Sequence, residues 1–124
     1  MGAQKKRILI VEDEVIVAKS LQCFLEAQGY HVPELAFNGE EALQSVQRAS
    51  PDLILMDVRL RSSLDGIEVA AGIKRFCDVP IICITAFADE RTVARIKQAQ
   101  CYGYLCKPIN DAELKSLIAS VLSR

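Results

Sequence analysis

The chain has no tryptophan, one histidine and almost no net charge, with 15 lysines and arginines against 16 aspartates and glutamates in 124 residues. Near-neutrality removes the electrostatic footprint needed to bind DNA, RNA or an acidic membrane surface. The one basic cluster, Lys5-Lys6-Arg7, reads as a solvated arm. No apolar run approaches the ~18 residues that span a bilayer. After Lys5-Lys6-Arg7 the apolar stretch Ile8 to Val11 gives way at once to acids, unlike a secretory signal peptide. A cytoplasmic location is expected.

C-x-x-C spacing is also absent. The five cysteines, Cys23, Cys77, Cys83, Cys101 and Cys106, are odd in number, which argues against a disulfide frame or a zinc site and for reduced thiols. Cys23 and Cys83 fall within apolar patterns, where a free cysteine acts as a small hydrophobe. His31 has no cysteine or histidine near it and reads as a surface or strand-edge residue. Internal repeats, linkers and low-complexity stretches are missing. Residues 1–124 are therefore expected to form one domain, long enough to bury a core without staples.

What is present is an alternation. Ile8 to Val11, Leu53 to Met56 and Ile81 to Ile84 are short continuous apolar runs suited to strands buried on both faces. His31 to Leu35 and Tyr102 to Cys106 are weaker strand candidates. Between these lie helical patterns. Val17, Leu21, Phe24, Leu25 and Gln28 form a stripe, with Asp13 placed to cap it and Gly29 to end it. Asn38-Gly39 opens a helix carrying Ala42, Leu43 and Val46, and Ser50-Pro51 closes it. Asp65-Gly66 precedes Ile67, Ala70, Ala71 and Ile73. Asp89 to Gln100 carries only Val93 and Ile96. Leu114, Leu117, Ile118, Val121 and Leu122 follow Asn110 or Asp111 as N-cap. Five β-α pairs in strict alternation predict an α/β fold, a parallel sheet covered on both faces.

Ligands of such sheets bind outside the carboxyl ends of the strands. There the first strand presents Glu12-Asp13-Glu14, the third Asp57, the fourth Thr85-Ala86 and the fifth Lys107-Pro108. Singly, each has a plain structural reading as a cap, a turn, a strand residue or a solvated charge. Together they are complementary, and folding alone does not require that. Clustered carboxylates repel and raise one another's pKa. A hard divalent cation relieves the repulsion, and carboxylates with water suit Mg²⁺. A carboxylate in such a site can act as a nucleophile toward phosphorus. The Lys107 ammonium and the Thr85 hydroxyl could then meet the phosphoryl oxygens beside the metal.

This constellation resembles the response-regulator receiver family. The matching pieces are Glu12-Asp13, Asp57, Asp65-Gly66, Thr85-Ala86 and Tyr104-x-x-Lys107-Pro108, spread from about Lys6 to Leu122. The resemblance implies a flavodoxin-like (βα)5 sandwich with strand order 2-1-3-4-5. It implies Asp57 as phosphoacceptor, and Mg²⁺ held by Asp13, Asp57 and the Arg59 carbonyl, with Glu12 acting mainly through water. Thr85 and Lys107 would contact the phosphoryl group, Lys107-Pro108 would be cis, and Tyr104 would change rotamer as Thr85 moves. Phe87, two residues beyond Thr85, would limit the approach of hydrolytic water, and Arg59 would flank the phosphoryl group. The implied function is a two-component receiver that is not an enzyme beyond its own phosphorylation and dephosphorylation. Its implied partners are a sensor histidine kinase or phosphotransfer protein and an output domain or protein, with a receiver homodimer as a further assembly and neither nucleic acid nor membrane.

The sequence departs from the family at the third strand. Leu60 and Arg61 stand where many members have Met-Pro or Leu-Pro, and the segment Val58 to Leu64 is longer than the common form. Without the proline this loop is expected to be less rigid; its length resembles receivers joined to sensor-kinase or hybrid proteins. Three rivals remain. A flavin-mononucleotide protein would want a hydroxyl- and glycine-rich loop where Glu12-Asp13-Glu14 stands. A haloacid-dehalogenase-type hydrolase would want Asp-x-Asp, but Asp57 is followed by Val58-Arg59. A receiver-like interaction domain that is never phosphorylated has the altered loop as its support.

Overall fold

Three apolar runs rich in isoleucine, leucine and valine form the central strands, two shorter segments form the edge strands, and the amphipathic stretches between them form helices. In this computed structural model the order is β1 (Ile8–Val11), α1 (Val15–Ala27), β2 (Leu35–Ala36), α2 (Gly39–Ala49), β3 (Leu53–Asp57), α3 (Gly66–Lys74), β4 (Ile81–Thr85), α4 (Glu90–Gln98), β5 (Gly103–Cys106) and α5 (Asp111–Leu122). The structure describes residues 4–60 and 63–123. Arg61 and Ser62, part of the loop read as longer and proline-free, lie outside the described residues.

All neighbouring strands pair in parallel, in the order β2-β1-β3-β4-β5. This is the flavodoxin-like arrangement. Alternation along each strand divides the core. Leu9, Val11, Ile54, Met56, Ile81 and Cys83 face one way and pack with residues of α2, α3 and α4. Ile8, Ile10, Leu53, Leu55, Ile82 and Ile84 face the other and pack with α1 and α5. Continuous apolar runs are thus required because both faces are covered.

The helix ends follow the expected chemistry with one exception. Asn38, Asp65, Asp89 and Asn110 each accept a backbone N–H three residues on, and Asp65 with Glu68 completes a capping box. Gly29, at φ +97°, ends α1, and Ser50, at φ 46°, ends α2. Asp13 does not cap α1. The N-cap is Glu14, without a side-chain cap, because Asp13 faces the carboxylate cluster described below.

Two further expectations change. The second strand is Leu35–Ala36 and not His31 to Leu35. His31 makes an isolated bridge to Arg7, while Leu35 pairs with Ile10. Four steps from 31 to 35 oppose three from 7 to 10, so one residue is extra. Pro33, with no N–H to give the ladder, lies in that bulged stretch. Cys23 is exposed and does not join the core. It sits two positions from the buried Leu21, about 200° around the helix. His31 is exposed at the sheet margin, as anticipated.

Candidate functional site: a buried carboxylate cluster beside a lysine

Parallel pairing brings the carboxyl ends of β1, β3, β4 and β5 to one edge. Backbone bonds continue past the strands and fix the residues there. Glu12 N–H donates to Ala36 O at 2.9 Å, Val58 N–H to Ile84 O at 2.9 Å, and Lys107 N–H to Thr85 O at 2.8 Å. Glu12, Asp57 and Thr85 are all buried.

Asp57 lies at the centre. Its Oδ1 accepts the Arg59 N–H at 3.1 Å, and its Oδ2 accepts from Lys107 Nζ at 3.3 Å. Lys107 Nζ also lies 4.0 Å from Glu12 Oε1. Glu12 Oε2 accepts the Glu14 N–H at 3.0 Å. Carboxylate oxygens of Glu12, Asp13 and Asp57 all come within 4.8 Å of one another.

Glu12 feels both burial and like charge in this cluster. Burial pushes the Glu12 carboxyl up to about 7. The Glu14 N–H opposes the rise, and the neighbouring Asp57 adds to it. Lys107, itself partly exposed, reaches Asp57 and Glu12 without cancelling the rise of the Glu12 carboxyl. Three carboxylates whose oxygens converge are what a hard divalent cation takes, so the residues fit Mg²⁺.

Gly66 explains how α3 approaches this site. A Cβ there would lie 1.9 Å from the Asp57 carbonyl oxygen and 2.9 Å from Val58 Cα. Its N–H donates to Val58 O at 2.8 Å. The Asp65-Gly66 pair was legible in sequence, but not the reason for the glycine.

The other expected residues are placed as follows. The Thr85 hydroxyl donates to Phe87 O and accepts the Phe87 N–H, both at 3.1 Å, so it is engaged with its own loop. The Arg59 peptide lies beside Asp57 through its N–H. Lys107-Pro108 is cis, as anticipated. Tyr104, in register with Cys83, is 38% exposed, and Phe87 is 70% exposed. An unanticipated link is the Arg95–Asp65 ion pair at 2.8 Å, which joins α4 to the N-cap of α3.

A sequence profile of the response regulator receiver domain matches residues 8–119, and the chain belongs to that family. It is 37% identical over 120 residues to the polar-differentiation response regulator DivK of Brucella anthropi, covering 94% of this chain and 96% of that one. It is 34% identical over 123 residues to the transcriptional regulatory protein PdtaR of Mycobacterium tuberculosis, covering 99% of this chain but 60% of that protein. The chain thus spans little more than half the length of such transcriptional regulators. Among solved structures, a CheY-like receiver domain protein from Methanospirillum hungatei superposes with a TM-score of 0.89 at 29% identity, covering 97% of this chain and 95% of that one. A two-component response regulator from Clostridium difficile superposes with a TM-score of 0.91 at 28% identity, covering 97% and 98%. Fold, family and site geometry together define a response-regulator receiver domain, a component type of two-component signalling. Among the described residues, no helix is long and apolar enough to cross a membrane.

Proposed function

We propose that residues 1–124 act as one phospho-accepting receiver in which Asp57 takes a phosphoryl group from a phosphohistidine of a sensor kinase or phosphotransfer protein. The observation that carries this reading is Asp57 itself. It is a buried carboxylate held by an N–H on one oxygen and an ammonium on the other, within a cluster of acids.

In the transfer, an Asp57 oxygen bonds to phosphorus as the phosphorus–nitrogen bond to the donor imidazole breaks, and that electron pair stays on nitrogen. Asp13, Asp57 and the Arg59 carbonyl would hold Mg²⁺, with Glu12 nearby, and the ion would supply positive charge for the carboxylates and the phosphoryl oxygens. Lys107 already touches Asp57 and is placed to pair with an incoming phosphoryl oxygen. Thr85 must give up its two bonds to Phe87 to do the same. That exchange is the switch. Thr85 and its loop move inward, Tyr104 turns in from the surface, and the face of α4, β5 and α5 changes for an output domain or partner protein. The same face suits a receiver homodimer.

The donor needs a docking surface beside Asp57. A groove of about 490 Å³ opens next to Lys107, lined by Ile16, Val17, Leu21, Pro108 and Ile109. Ile16 is 84% exposed, more than any other large apolar side chain among the described residues. The reading places the protein in the cytoplasm, with no nucleic acid bound directly and no catalysis beyond its own phosphorylation and dephosphorylation.

Intact-mass spectrometry after incubation with acetyl phosphate and Mg²⁺ tests it. One added phosphoryl group is expected, lost with a chelator and lost in Asp57→Asn. A folded protein that gains no phosphoryl group and binds no beryllofluoride would instead be an unphosphorylated interaction domain.

A further inference from the structure

Cys83 and Cys101 are far apart along the chain, yet their sulfurs lie 3.3 Å apart, the Cys83 thiol donating to Cys101. Cys83 is buried in the middle of β4, within the cluster that holds Ile96 and Ala99. Cys101 packs against that cluster but keeps part of its surface in solvent.

Cys101 also occupies a defined place at the end of α4. Gln100 adopts φ +64°, its N–H donates to Lys97 O at 3.0 Å, and the Cys101 N–H donates to Ile96 O at 3.3 Å. These bonds form a Schellman cap, whose last residue packs back toward the helix. Within α4, Ile96 is the one buried residue, so little apolar burial holds this helix to the sheet. A covalent bond from Cys101 to Cys83 would add a fixed attachment where the helix leaves.

We propose that Cys83 and Cys101 form a reversible oxidation site, in which a peroxide converts the thiol pair into a disulfide that fastens the C-terminal exit of α4 to β4. The Cys101 thiolate attacks one peroxide oxygen, the O–O bond breaks, and water leaves after protonation, giving a sulfenic acid on Cys101. The Cys83 sulfur then attacks the Cys101 sulfur, the S–O bond breaks, and a second water leaves. The two sulfurs give up two electrons in all, and hydrogen peroxide becomes two waters. A small thiol reverses the bond by exchange.

Cys101 is the attacking partner on two grounds. It is half-buried, whereas Cys83 is buried. Its thiol is also held below its ordinary pKa, first by the hydrogen bond from Cys83 and further by the positive charge of Lys74, although burial opposes this. The same hydrogen bond, with burial, pushes Cys83 up, which suits a resolving thiol that stays protonated until the sulfenic acid forms. The sulfurs need to close by only about 1.3 Å to reach the ~2.05 Å of a disulfide.

The test exposes the folded, reduced chain to hydrogen peroxide, blocks remaining thiols with N-ethylmaleimide, and measures mass. The expected product is lighter by two hydrogens before blocking, carries two fewer maleimides, and returns to the starting mass with dithiothreitol. Tryptic peptides 76–91 and 98–115 each hold two cysteines, Cys77 with Cys83 and Cys101 with Cys106. Tandem fragmentation must therefore assign the link, and Cys83–Cys101 is expected. Cys77→Ser keeps the link and Cys101→Ser abolishes it. Should a variant fail to fold, the assignment in the unaltered chain still decides. Hydrogen exchange at Ala99, Gln100 and Cys101 should slow on oxidation. A link through Cys77 or Cys106, oxygen addition without a link, or unchanged exchange in the linked protein overturns the proposal. Because Asp57→Asn should form the same disulfide, failure here is distinct from failure of the phosphorylation reading.

Discussion

Glu12 gives the sharpest quantitative test of the site. Its carboxyl, buried beside Asp57, is raised from 4.5 to about 7. Between those values the folded state binds a proton that the unfolded state has released. Stability from this group is therefore fully present below about pH 4.5 and is lost as pH rises through about 7. The full gap corresponds to roughly 3 kcal/mol, most of it lost between pH 5 and pH 8. Glu12→Gln removes the ionisation while keeping an oxygen that can accept the Glu14 N–H. Urea unfolding followed by circular dichroism, with chelator present, compares the two proteins. They should be close at pH 5, and the variant should be more stable by roughly 2 kcal/mol at pH 8. Millimolar Mg²⁺ should shrink the pH 8 difference, since a cation favours the ionised cluster only where Glu12 is a carboxylate. Equal stabilities at pH 8 in chelator, or a less stable variant, would refute the account of Glu12 as a buried acid with a raised pKa.

Gly66→Ala should destabilise the domain by about 2–4 kcal/mol, because the new methyl meets Asp57 and Val58 backbone that cannot swing away and the Gly66–Val58 hydrogen bond is strained. Helix propensity alone predicts the opposite sign, by up to ~1 kcal/mol, so the urea midpoint decides which effect wins. Phe87→Glu should shorten the phosphoryl lifetime on Asp57 on the order of tenfold, below the ~10²-fold of a well-placed general base because the position is 70% exposed. An unchanged lifetime by phosphoprotein decay would remove Phe87 from the hydrolytic path.

Much of the architecture was legible without coordinates because buried parallel strands and amphipathic helices leave different periods in the sequence. Ile8 to Val11, Leu53 to Met56 and Ile81 to Ile84 carried that signal, and Asn38, Asp65, Asp89 and Gly29 marked helix ends through local chemistry. The second strand was misplaced because its pairing depends on a bulge opposite β1 and on where Pro33 falls, both non-local facts. Cys23 has apolar neighbours in sequence, but the helix turns it outward.

The composition of the site was likewise written in the sequence. A strand end is a position in one dimension, and the known rule for parallel sheets says which ends matter. That is why Glu12, Asp13, Asp57, Thr85 and Lys107 could be gathered before any distance was known. Only the tertiary structure decided how they meet. It turned Asp13 from a helix cap into a member of the carboxylate cluster, set Lys107 against Asp57, and engaged Thr85 with Phe87. It also brought Cys83 to Cys101 and Arg95 to Asp65. Periodicity and capping arise between residues close along the chain, so the sequence determines them directly. Side-chain encounters between separate strands and helices depend on register and packing, and those exist only once the sheet has formed.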